Sequence, residues 1–158
     1  MKLSLAAASS FVAASVAASL PEAFTLVAQG GHTVLTDGTN AVISHNVSDT
    51  LPILILHGAN GGATYTRQGS PPTAWQNLYV IAGADKPIGL TIPHSGALPD
   101  NAKTSGFAMT DDGWLTFEGE QAFAPTTEVD EHQNIVYLGA NNGGYQQAPI
   151  WVKECRGC

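Results

Sequence analysis

Side chains able to do chemistry are few in this chain, and none sits in a pattern that names a reaction. The five histidines, His32, His45, His57, His94 and His132, include no pair at the i, i+2 or i, i+4 spacing that sets two imidazoles on one face of a strand or helix. Asp130-Glu131-His132 is the one place where acids adjoin an imidazole, and a solvated loop is favoured there over a metal or catalytic site. His94 and Ser95 are neighbours in sequence, which rarely face each other, and no Gly-x-Ser-x-Gly elbow occurs. A glycosidase pair could be drawn from the thirteen acidic residues, but no motif selects two of them. The expectation is therefore no catalytic residue, no metal site and no cofactor.

Three smaller features carry chemistry of another kind. Cys155-Arg156-Gly157-Cys158 places two thiols three residues apart. In an oxidising compartment they are expected to pair as a local disulfide that pins the last turn. A redox role would need Cys155 at a helix N-terminus, and zinc would need two more ligands. An intermolecular bridge ranks between these readings. The resemblance to a prenylation box is set aside, because a secreted chain does not meet the cytosolic enzyme. Asn46-Val47-Ser48 is the only Asn-x-Ser/Thr sequon and a candidate glycan acceptor on the secretory route. Finally, exposed tryptophans could stack on sugar rings. Trp114 and Trp151 stand in strand-like runs and are expected in the core; Trp75 follows the Pro71-Pro72 loop and is the better candidate for exposure. Trp75 and Tyr145, with neighbouring Asn and Gln side chains, are the candidate sugar contacts.

Composition narrows the setting. Six basic residues against thirteen acidic ones give a formal net charge of −7, so nucleic acid and anionic membranes would be repelled. A chain of 158 residues has room for one domain with a sizeable core. Lys2, the apolar Ala- and Ser-rich run Leu3 to Val16, and Ala17-Ala18-Ser19 have the order of a secretory signal, so residues 1–19 are expected to be a leader cut near Ala18 or Ser19. A buried N-terminal helix is disfavoured because Leu20-Pro21 follows, and the run is too short to span a bilayer. The protein is then expected to be secreted, extracellular or in a cell wall, with no membrane contact after cleavage.

The elements that must position these residues read as strands. Short apolar runs alternate with Gly, Pro, Asn and Asp, and no window keeps a helical period over ten or more residues. Phe24 to Ala28, Thr33 to Thr36, Ala41 to His45, Thr64 to Thr66, Asn77 to Ala82, Ile88 to Ile92, Ile135 to Leu138 and Ile150 to Lys153 are expected strands. Ile53 to Leu56 is continuous and apolar, which suggests burial on both faces. The clearest unit is Thr104 to Phe123: Phe107 and Met109, then Asp112-Gly113 as a tight turn, then Leu115 and Phe117, two arms sharing one buried face. About twelve short strands follow from this reading. Residues 20–154 are thus expected to form a single all-β domain and 155–158 a tail. A faint Gly-Ala recurrence at 58, 96 and 139 suits three units of about forty residues, so a β-trefoil is favoured, with a sandwich or other barrel as alternative.

Thr104-Ser105-Gly106-Phe107, the Asp111-Asp112-Gly113 turn, Leu115-Thr116-Phe117-Glu118-Gly119 and Phe123-Ala124-Pro125 resemble the hairpin of the fungal secreted cell-wall proteins typified by PhiA, a family that includes IgE-binding antigens. Asn77-Leu78-Tyr79-Val80, Ile88-Gly89-Leu90 and Pro93-His94-Ser95-Gly96 are similar to the segment preceding that hairpin. A more distant similarity runs to the trefoil-like C-terminal domain of Pir cell-wall proteins. The resemblance implies a non-enzymatic, wall-associated protein with a structural or developmental role; a lectin-like module is the alternative, and cell-wall polysaccharide is the expected partner. Ala124-Pro125 stands where the family carries Cys-Pro, and upstream cysteines are missing, so the family's disulfide framework is not carried over. The glutamine-containing repeats that link Pir proteins to glucan are absent too.

Overall fold

The computed structural model describes residues 17–127, 131–139 and 143–158. Most of the expected leader (1–16), the acidic residues Glu128, Val129 and Asp130, and the 140–142 part of the faint repeat lie outside the described residues. Among the described residues the chain is all-β with no helix, and its fourteen short strands pair antiparallel in sheets that do not close into a barrel.

The largest sheet takes β1 (Phe24–Val27), β4 (Ile55–Ala59), β5 (Gly62–Tyr65), β6 (Gln76–Ile81), β8 (Gly89–Leu90) and β14 (Trp151–Glu154) in the order β14-β1-β4-β5-β6-β8, with β9 (Ala102–Lys103) also on β6. A second sheet runs β12-β13-β3-β2, from β12 (Phe123–Pro125), β13 (His132–Tyr137), β3 (Ala41–Ser44) and β2 (Leu35–Thr36), with β7 (Lys86–Pro87) on β13. The third is the hairpin β10 (Phe107–Met109) and β11 (Leu115–Phe117).

Period-two patterning drives these strands onto one core. In β6 the buried residues are Gln76, Leu78 and Val80, alternating with half-buried neighbours. Phe24, Leu26, Leu54, Leu56, Leu78, Ile88, Leu115, Phe117, Phe123 and Ile135 meet in a single cluster in which most side chains are fully buried. Between β4 and β5, Asn60 and Gly61 both have positive φ, 51° and 76°, the two-residue turn whose twist matches the flanking strands.

Two expectations need correction. Ile53 to Leu56 is not buried on both faces: Leu54 and Leu56 are sealed, whereas Ile53 is 47% exposed. Burial alternates along 53–56, with Leu54 and Leu56 turned to the core and Ile53 and Ile55 away from it, so the continuous apolar run in and before central strand β4 does not report two-sided cover. The turn of the β10–β11 hairpin is also wider than a two-residue loop. Met109 pairs with Leu115, so residues 110–114 form the loop, with Gly113 at φ 88° and the Thr110 amide donating to the Trp114 carbonyl at 2.9 Å. The reason lies outside the hairpin. Leu115 N donates to Ile150 O, and Val152 N to Gly113 O, both at 2.8 Å, so the backbone of 113–115 is taken up by the β14 segment before it can pair within the hairpin. The shared buried face is as expected: Phe107 and Phe117 are register partners with rings edge to face at 5.0 Å.

Candidate functional site

Trp75 lies one residue before β6 and is 51% exposed, the largest aromatic surface in the described chain. It borders a groove of about 360 Å³ between the start of β6, the 91–98 loop and Thr104. Asn77 follows on the same face of the strand, because alternate residues share a face. Thr91 is held there by its hydroxyl, which accepts from the Asn77 amide at 2.8 Å. His94 adopts a positive φ of 59° at the loop's turn, and Leu98 extends the apolar surface. An indole face ringed by Thr, Asn, Ser and His side chains can stack on a pyranose ring while the rim hydrogen-bonds its hydroxyls. No carboxylate is among the described residues that line it.

The other sequence candidates fall elsewhere. Tyr145 is partly buried and packs against Ala124, Val136 and Leu138, a small cluster beside the main core, and it is not among the residues that line the Trp75 groove. Trp151, expected in the core, is 41% exposed. It lies on β14 on the face opposite the buried Val152, where an outward side chain has no second layer to cover it; Trp114 packs edge to face on it at 5.1 Å. Asn46 is exposed on the 45–50 loop, its Nδ2 donating to the Glu131 carboxylate at 2.7 Å and its Oδ1 accepting from the Ser48 amide at 2.9 Å. Cys155 and Cys158 are bonded to each other, with Cα atoms 5.8 Å apart.

Of the Asp130-Glu131-His132 cluster, Asp130 lies outside the described residues. His132 turns to Asp49, with which it shares a hydrogen bond, and Glu131 serves Asn46. The Ser44 hydroxyl, the Leu51 amide and His132 together hold the Asp49 carboxyl down at about 2. These contacts tie the 45–50 loop to the start of β13. Ser95 does not meet His94; its hydroxyl accepts from the Ala97 amide at 3.2 Å. Among the described residues, no three His, Cys, Asp or Glu side chains gather as a metal would require, and no helix is long and apolar enough to cross a membrane.

Sequence reasoning missed one polar pair altogether. Tyr65 and Gln76 are register partners across β5 and β6, both turned inward, 3% and 5% exposed. They border a cleft of about 500 Å³ with Arg67 and Asp37. Burial pushes the Tyr65 phenol up, and Arg67 pulls against it. Alternation in Thr64-Tyr65-Thr66 hints that Tyr65 points one way, but nothing local says that Gln76 lies opposite.

Comparisons with family models, with curated proteins and with solved structures find no match to this chain.

Proposed function

We propose that this is a secreted, non-enzymatic protein associated with the fungal cell wall, in line with its PhiA-like residues, and that it holds wall polysaccharide at the Trp75 groove. The observation that carries the reading is the half-exposed Trp75 face set among short polar side chains. Among the described residues no carboxylate lines the groove, which supports binding over glycoside hydrolysis, since that needs a pair of them across the scissile bond. Net negative charge supports a neutral polymer over an acidic one. For the strand arrangement we propose a β-trefoil, with a sandwich as alternative; the single bridges Leu35–Ile53, Asn40–Gly89 and Gly62–Ser105, which join sheet edges around one core, support it.

Pull-down on insoluble glucan, chitin and mannan tests the binding. Wild-type protein is expected on at least one polymer and Trp75→Ala on none; no retention of the wild type on any of the three removes the polysaccharide reading. Fractionation tests the setting: protein found only free in the medium, and never with washed or detergent-extracted walls, removes the wall assignment.

A further inference from the structure

The cleft beside β5 and β6 shares no lining residue with the Trp75 groove. Its floor is built from the register pair Tyr65 and Gln76, polar side chains that are both more than nine-tenths buried. The Gln76 Nε2 donates to two backbone carbonyls, Gly38 O at 3.1 Å and Thr91 O at 2.7 Å. Since both partners are acceptors, the amide can be oriented only one way, with the NH2 toward them and Oε1 turned from them. Among the described residues neither Oε1 nor the Tyr65 hydroxyl finds a protein partner, and neither is sealed: the one sealed side-chain oxygen without a partner is Thr116 Oγ1. Two side chains this deeply buried that each leave a polar atom open, in the lining of one cleft, are positioned for something that enters it.

The rim decides what class of molecule that is. Asp37 is pinned by its Oδ1, which accepts from the Thr39 and Asn40 amides at 2.8 and 2.7 Å. Arg67 has no ion-pair partner among the described residues and stands near the Tyr65 phenol. One cation and one anion leave the cleft balanced, whereas a carboxylated or phosphorylated ligand would face both Asp37 and the net charge of −7. Gln76 Oε1 and Asp37 accept hydrogen bonds, Arg67 donates, and the Tyr65 hydroxyl does both; a vicinal diol matches all four. Leu51, Pro52 and Pro93 add apolar wall for the C–H faces of a ring.

We propose that this cleft binds an uncharged, hydroxyl-rich ligand of mono- or disaccharide size, with Gln76 Oε1 and the Tyr65 hydroxyl as the groups that recognise it.

Tyr65→Phe is the informative variant, because the hydroxyl it removes makes no bond to the described protein and its loss should leave the fold intact. The experiment follows amide, Gln side-chain and Trp indole signals of the isotope-labelled protein while soluble glucose, mannose, N-acetylglucosamine, their disaccharides and glucuronic acid are added. At least one neutral sugar is expected to shift the Gln76 side-chain NH2 and the Tyr65 and Arg67 amides. Tyr65→Phe should weaken that sugar about ten-fold with an unchanged melting temperature, the loss of one hydrogen bond to the ligand. Arg67→Gln is the second variant and should weaken it as well. The idea is overturned if no neutral sugar moves these signals at millimolar concentration, if glucuronic acid is preferred, or if Tyr65→Phe folds and binds as wild type does. Shifts confined to the Trp75 indole would overturn the cleft while leaving the Trp75 groove standing, and cleft binding without polymer retention would do the reverse.

Discussion

Ala18 and Met109 exchange both backbone hydrogen bonds, Ala18 N to Met109 O at 2.8 Å and Met109 N to Ala18 O at 3.0 Å. The pairing adds the segment before β1 to the edge of the β10–β11 hairpin. Leu20, two residues on, packs against the main core, and a Cβ on Gly58 would stand 2.6 Å from Pro21 O and 2.7 Å from the Leu20 Cβ. Ala18 and Ser19 belong to the stretch expected as a leader, yet residues 18–21 are seated in the fold on both sides. A chain begun at Ala17 should be more stable than one begun at Leu20 by about 1–2 kcal/mol, the net worth of two backbone hydrogen bonds. Urea unfolding of the two chains decides it; equal midpoints would mean that the pairing contributes nothing.

Phe117 joins the hairpin to the rest of the core. Its ring is fully buried, 5.0 Å from Phe107 and 5.2 Å from Tyr137, which in turn lies 5.5 Å from Phe123. Phe117→Ala should cost about 3–5 kcal/mol through lost burial and the cavity left behind. Phe117→Leu should cost less, because it keeps most of the volume. Thermal or chemical unfolding measures both, and a loss below about 1 kcal/mol for the alanine would show that the cluster collapses around the gap.

Acid should loosen the 45–50 loop. The Asp49 carboxyl is held at about 2, below its ordinary 3.8, by the Ser44 hydroxyl, the Leu51 amide and His132. A folded pKa below the unfolded one means stability that is present above the unfolded value and lost as pH falls through the folded one, here between about 3.8 and about 2. Wild type should therefore lose more stability across that window than Asp49→Asn, which has no carboxyl to titrate. Parallel slopes for the two proteins between pH 4 and pH 2, read from urea midpoints, would show that Asp49 does not couple to folding.

Trp75 should be dispensable for folding. With half of its surface already in solvent, Trp75→Ala is expected to change stability by no more than about 0.5–1 kcal/mol while removing polymer retention. A large fall in melting temperature would mean that the indole packs as a structural group and that its exposure says nothing about ligands.

What could be read without the tertiary structure follows from local rules. Alternation marks β1, β6 and β14 within a residue or two, because a half-buried strand must repeat every second side chain. Asn60-Gly61 reads as a turn because Gly tolerates positive φ and Asn more readily than most, and Trp75 reads as exposed because a Pro-Pro loop lies on the surface. Trp151 shows where such rules stop. A tryptophan in a strand-like run looks like core, but it is the neighbouring Val152 that β14 turns inward, and Trp151 falls on the outer face.

The sequence by itself determined the all-β class, most strand positions and the shared apolar face of the β10–β11 hairpin, all set by neighbours a few residues apart. Tertiary structure decided which strands meet. Tyr65 and Gln76 are eleven positions apart and become partners only through the β5–β6 register, while Gly38, which helps to orient the Gln76 amide, arrives from the turn between β2 and β3. Hydrogen-bond partners so far apart in the chain leave no periodic trace in it, since each is chosen by which strand edges the core brings together.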